Sequence, residues 1–180
     1  MRQKASEVVT IPQGVTCALH GRSLACSKGS VSVSRAFSIP GSSVEVREGS
    51  IVLTALRANR RTRAYLKTAR AHIMNLFEGL STPYVYELEI CNVHFPMTVK
   101  VEGNKFVVTN FLGEKEKRMA TIVPSTVVEV KGSKVFVSSP NLEAAGQTAA
   151  NIEKATRILK RDRRVFQDGI FLTSKCGRPI

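Results

Sequence analysis

The chain has 180 residues, 43% of them apolar, with 27 Lys and Arg against 14 Asp and Glu, a formal charge of +13 and a pI near 10.1. That length allows one ordinary domain or two small ones, and the apolar fraction excludes wholesale disorder. A charge excess of this size is self-repulsive unless a polyanion offsets it, so nucleic acid comes first as partner, with anionic membrane or heparin behind it.

No apolar run reaches the ~18 residues of a membrane span. The start, "MRQKASEVVTIPQG", is basic but lacks the apolar stretch of a signal peptide, so a soluble intracellular protein is expected. The first elements are hairpins. "VTCALHGRSLACSKG" folds at Gly21-Arg22 so that Leu19 faces Leu24 and Cys17 faces Cys26, with Gly at the first position of a type II′ turn. "VEVREGSIVL" follows, pairing Val46 with Ile51 and Val44 with Leu53 across Glu48-Gly49.

A helix is predicted next, over about 57–78. At 100° per residue Leu66, Ala69, Ile73, Leu76 and Leu80 share one face. Arg60, Arg63, Lys67 and Arg70 form a stripe beside it, with no acid between Arg57 and Arg70 to supply i,i+4 pairing. A merely solvated surface is the plainer alternative; phosphate contact is the reading preferred. Gly79 is a candidate C′ residue, and "GLSTP" reads as a linker.

The same order then recurs. "MTVKVEGNKFVVTN" folds at Gly103-Asn104, pairing Val101 with Phe106 and Val99 with Val108. "VVEVKGSKVFV" folds at Gly132-Ser133, pairing Val130 with Val135 and Val128 with Val137. A second helix is predicted over about 142–160, with Ala145, Ala149, Ile152, Thr156 and Leu159 inward and Lys154, Arg157 and Arg161 outward. Hairpin, hairpin, helix occurs twice, so the expected fold is α+β: two tandem, duplicated α/β domains, residues 1–80 and 81–180, each a small antiparallel sheet with a packed helix.

Between these elements, "NFLGEKEKR" carries Lys115, Lys117 and Arg118 on a turn at Gly113. Glu114 and Glu116 dilute that charge, and the P-loop spacing is missing. "KRDRR" concentrates Lys160, Arg161, Arg163 and Arg164 around Asp162 where the second helix runs out. Dipole compensation at ~0.3–1 kcal/mol per exposed charge does not explain four cations in five residues; a polyanion does.

The cysteines show neither CxxC spacing nor a paired His, which argues against zinc. Cys17 and Cys26 occupy the places of Val99 and Val108 and are read as buried free thiols; a cross-strand disulfide is geometrically conceivable, but a reducing compartment argues against it. His20, His72 and His94 lie far apart, and Asp162 and Asp168 are poor candidates for an acid–base pair. Few exposed aromatics disfavour single-strand recognition on an aromatic sheet.

"NFLGEK", "AGQTAANIE", "TRI" and "RDRRVFQDGI", extended by "IPQGV", "GRSL", "AHIMNLFEG" and "HFP", resemble the archaeal and eukaryotic branch of the ribosomal protein L6 family, called L9 in eukaryotic naming. The resemblance covers about residues 11–175, and its C-terminal signature falls on Arg161, Arg164, Phe166, Asp168, Gly169, Ile170, Phe171, Leu172 and Lys175. Lys154 stands where the family suggests Gln.

The resemblance implies a non-enzymatic constituent of the large ribosomal subunit, without cofactor, metal, membrane or small-molecule substrate. Its implied partners are large-subunit rRNA, near the sarcin–ricin loop and translation-factor region, and neighbouring large-subunit proteins. The location implied is cytoplasmic, with nucleolar assembly if the source is eukaryotic. The alternatives are a non-ribosomal binder of structured RNA or an enzyme acting on RNA.

Overall fold

The structure, a computed structural model, describes residues 3–37, 41–47, 49–162 and 164–180. The chain divides into two compact units, Met1–Thr82 and Pro83–Ile180.

In the first unit β1 (Gln3–Thr10), β2 (Thr16–His20), β3 (Ser23–Lys28), β4 (Val31–Ala36), β5 (Ser42–Arg47) and β6 (Ser50–Ala58) precede helix α1 (Arg60–Ser81). They form two antiparallel three-stranded sheets, β1-β6-β5 and β2-β3-β4. In the second unit β7 (Tyr84–Cys91), β8 (Thr98–Glu102), β9 (Lys105–Thr109), β10 (Arg118–Thr121), β11 (Val127–Lys131) and β12 (Lys134–Ser139) precede helix α2 (Leu142–Ala155). Here β8-β9-β10 corresponds to β2-β3-β4, and β7-β12-β11 to β1-β6-β5. This is the duplicated α+β architecture that the repeat implied. The second unit then adds β13 (Gly169–Lys175) and β14 (Arg178–Pro179), with β13 antiparallel on the free side of β7.

The four hairpins have the registers that alternation predicts: Leu19 opposite Leu24, Val46 opposite Ile51, Val101 opposite Phe106 and Val130 opposite Val135. Gly21 has φ +63°, which the turn demands and a Cβ resists. Glu48, the first turn residue of the β5–β6 hairpin, lies outside the described residues.

Helix α1 buries Leu66, Ala69, Ile73, Leu76 and Leu80 as its periodicity predicts. Ile73 is fully buried, which stabilises by roughly 1.5–3 kcal/mol. Its bounds differ from the predicted 57–78. Arg57 belongs to β6, because Asn59 is the N-cap and accepts from the Thr62 N–H at 2.7 Å. Gly79 is a buried residue inside the helix rather than its C′ position, and the helix ends when the Thr82 N–H bonds the Glu78 carbonyl.

The predicted 142–160 helix stops at Ala155, so Arg157, Lys160 and Arg161 are not helical, and Leu159 is exposed instead of inward. Cys17 and Cys26 face each other with Cα atoms 4.2 Å apart and are joined by a disulfide, against the expectation of free thiols. Direct opposition on neighbouring strands sets the two sulfurs side by side. The expectation allowed this geometry but set the compartment above it, and the direct opposition of the two residues prevails.

Candidate nucleic-acid interface

The second unit builds a rigid seat for its cations. Ser139 begins it: its buried hydroxyl donates to the Ser125 carbonyl at 2.7 Å and accepts from the Asn141 N–H at 3.1 Å. Asn141 then caps α2, accepting from the Glu143 N–H at 3.0 Å. Ala144, Ala145, Thr148, Ala149 and Ile152 form the buried face. Small residues let the helix lie close to the sheet. A Cβ at Gly146 would sit 3.2 Å from the Tyr86 hydroxyl oxygen, tighter than ordinary contact. Thr148 uses its hydroxyl to accept from the Val123 N–H at 3.1 Å.

Two interactions fix where α2 ends. The buried Thr156 hydroxyl accepts from the Ile170 N–H at 3.0 Å, tying the helix end to β13. Arg118, at the start of β10, donates from Nη1 to the carbonyls of Ala155 at 3.0 Å and Arg157 at 3.2 Å. Its Nε and Nη2 each reach the Glu114 carboxylate at 2.7 Å, a two-pronged ion pair. The hydrogen bond from Arg118, and its charge, hold the Glu114 carboxyl below its usual range. The guanidinium carbon also lies 4.3 Å from the centroid of the buried Phe111. Arg118 is thus committed internally, whereas Lys115 and Lys117 on the same loop are exposed.

Beyond Thr156 the chain passes through Arg157 to Lys160, whose φ of +59° turns it sharply. Asp162 shapes the next turn: its carboxylate accepts from the Arg164 N–H at 2.9 Å, and its carbonyl from the Phe166 N–H at 3.0 Å. Arg157, Lys160, Arg161 and Arg164 are all exposed on this segment, as is Lys154 in the last turn of α2. Arg163 lies outside the described residues.

Asp168, buried at 1% exposure, anchors this segment. Its Oδ1 accepts from the N–H groups of Val93 at 2.8 Å and His94 at 2.9 Å, and its Oδ2 accepts from His94 Nδ1 at 2.6 Å. Burial raises its pKa, but the hydrogen bonds from His94 and Val93, with the His94 charge, outweigh it and hold the carboxyl down at about 2. His94 stacks on Phe166 at 5.1 Å between ring centroids, and the Arg161 guanidinium carbon lies 4.8 Å from the Phe166 centroid. A buried carboxylate, an imidazole and a phenyl ring thereby position one exposed arginine. Beside them a groove of about 780 Å³ is lined by Lys154, Arg157, Ile158, Phe166, Gln167 and Phe171, among others.

In the first unit Arg60, Arg63, Lys67 and Arg70 are exposed on α1, whose first turn contains no acid. Arg60, Arg63 and Lys67 flank a second groove of about 480 Å³. Arg70 finds a partner the local sequence hides, Glu7 of β1 at 3.5 Å. Lys175 stands apart from these groups, exposed at the end of β13.

The cations were legible; their supports were not. His94, Phe166 and Asp168 lie within "HFP" and "RVFQDG", yet 74 residues separate His94 from Asp168, and no local spacing announces such a bond. Asp168 directs its hydrogen bonds to the 93–94 backbone and the His94 ring, which suits an anchor rather than an acid–base catalyst. Among the described residues no group of three or more His, Cys, Asp or Glu could hold a metal ion, and no helix is long and apolar enough to cross a membrane.

The family model described as ribosomal protein L6 matches residues 95–169, the stretch that contains the α2 seat and the cationic segment. The large ribosomal subunit protein uL6 of Methanocella arvoryzae is 45% identical over 93% of this chain and 95% of its own length. The uL6 of Methanosarcina mazei is 41% identical over 97% and 99%, and that of Aeropyrum pernix 42% identical over 92% of each. Identity at this level along almost the whole length, on a duplicated α+β frame, places the chain in the L6 family of ribosomal proteins.

Proposed function

We propose that this protein is a non-enzymatic structural constituent of the large ribosomal subunit that binds large-subunit rRNA near the sarcin–ricin loop and translation-factor region. The uL6 names of its relatives support the subunit; the location on the rRNA follows the family resemblance. Residues 1–80 and 81–180 act as two L6-type domains, with neighbouring large-subunit proteins as further partners and the cytoplasmic ribosome as the place of action.

The observation that carries the RNA reading is the Arg157–Arg164 segment, whose exposed cations are mounted on the Asp168–His94–Phe166 anchor. Surface charge on a floppy loop pays ordering entropy on binding; charge on a braced loop pays less. Lys154, Arg157, Lys160, Arg161 and Arg164 contact phosphate oxygens, joined by Arg163. Lys115, Lys117 and Lys175, and the α1 stripe of Arg60, Arg63, Lys67 and Arg70, add further contacts. Arg118 serves by holding Arg157 in place. Structured RNA is read through backbone, shape and 2′-hydroxyls.

The test is co-sedimentation with large subunits through a high-salt sucrose gradient. Stable retention is expected. Release into the top fractions, with RNA affinity no better than that of an arbitrary basic protein, would contradict the assignment and favour a non-ribosomal role.

A further inference from the structure

We infer that the groove beside the end of α2 seats one unpaired RNA base, with the flanking phosphates held on its rim by Lys154 and Arg157. The inference rests on the proposed rRNA binding and adds what this part of the surface recognises.

Phosphate contact alone requires exposed cations and gains nothing from apolar walls. This groove has both. Val93, Ile158, Phe166 and Phe171 line it, while Lys154 and Arg157 border the same space. Splayed-out bases are the part of a structured RNA that profits from such walls, because a base offers a flat face that stacks on aromatic and apolar side chains.

The polar lining argues for the same occupant. Glu153 and Asp168 also face the groove. The exposed Glu153 disfavours a phosphate inside it and suits the exocyclic amine of an adenine or cytosine, whereas the Asp168 carboxylate is already taken by Val93 and His94. Gln167 lies in the wall with its amide nitrogen anchored to the Arg164 carbonyl at 3.1 Å, a fixed polar edge for reading a base. A volume of about 780 Å³ is ample for one nucleotide. The walls are also firm: the Val93 N–H is held by Asp168, Phe166 by the His94 stack, and the α2 end by Thr156 and Arg118.

The experiment uses the full chain bound to transcribed large-subunit rRNA. Dimethyl sulfate reports the Watson–Crick edges of unpaired adenine and cytosine, and hydroxyl radicals report the backbone. Val93 is 61% exposed, so Val93→Trp fills the groove from its mouth. The wild type is expected to protect at least one unpaired adenine or cytosine roughly tenfold from dimethyl sulfate. Val93→Trp should lose that protection while the backbone footprint stays.

Identical base reactivity for wild type and Val93→Trp overturns the base site and leaves rRNA binding standing. Absence of any backbone footprint overturns both. If the base pattern is unchanged but Val93→Trp is excluded from assembled subunits, the groove takes a side chain of a neighbouring protein, and the base site is again overturned.

Discussion

His94 Nδ1 donates to Asp168 Oδ2 at 2.6 Å, across 74 residues of chain. The bond ties the loop after β7 to the entrance of β13, and through the His94–Phe166 stack it sets the position of Arg161. Replacing Asp168 with Ala strands two backbone donors and the imidazole. A loss of about 3 kcal/mol is expected in urea unfolding, with weakened rRNA binding although no cation has been removed.

Asp168 also predicts an acid limb. Its folded pKa, about 2, lies below the ordinary 3.8. The stabilisation is therefore complete above the unfolded value and is lost as pH falls from about 4 towards 2. It amounts to roughly 2 kcal/mol. Urea midpoints measured at pH 6, 4 and 3 should fall for the wild type, and fall less over the same interval for Asp168→Asn. Parallel curves would contradict the role given to this carboxylate.

Arg118 and Arg161 separate by salt dependence. Replacing Arg157, Arg161 and Arg164 together with Ala should lower the log–log slope of rRNA affinity against salt by roughly 0.7–0.9 for each lost phosphate contact. The fold should survive, because exposed positions of this kind rarely cost more than ~0.5 kcal/mol each. Arg118→Gln should weaken binding and lower the melting temperature, yet leave the slope as it was. An unchanged slope in the triple variant would make the cluster a solvated surface.

Packing of α2 gives the reverse pattern. Ala145 and Ala149 are fully buried against the sheet, and Leu at either position overpacks the contact at a cost of ~1–3 kcal/mol. Thermal melts should register that loss, while the salt slope of the remaining folded protein stays at the wild-type value.

The disulfide is open to direct titration. Cys17 and Cys26 are joined in the disulfide, and Cys91 and Cys176 are not part of it. Denatured, unreduced protein should therefore react with two equivalents of a thiol reagent, and reduced protein with twice that number. Four before reduction would restore the free-thiol expectation.

Alternation and helical periodicity are local, and what they control was legible in the sequence. Leu19 faces Leu24 and Val130 faces Val135 because a tight turn and a period of two leave one register that buries one face. The stripe Leu66, Ala69, Ile73, Leu76 and Leu80 is buried because 100° per residue puts it on one side. The repeat of hairpins and helix, and the exposed cations, followed from the same patterns. What lay beyond them was decided by contacts between residues far apart in the chain. Helical periodicity runs past Ala155, but the Thr156 hydroxyl is claimed by Ile170 and the Ala155 carbonyl by Arg118, so α2 stops there. A run at Gly169–Lys175 becomes a strand because β7 has an open side for it, with Ile170 opposite Ile90 and Leu172 opposite Leu88. Asp168 reads in sequence as one acid among many cations; only the folded chain brings the Val93 and His94 donors around it, and only burial makes their bonds strong enough to fix the surface above.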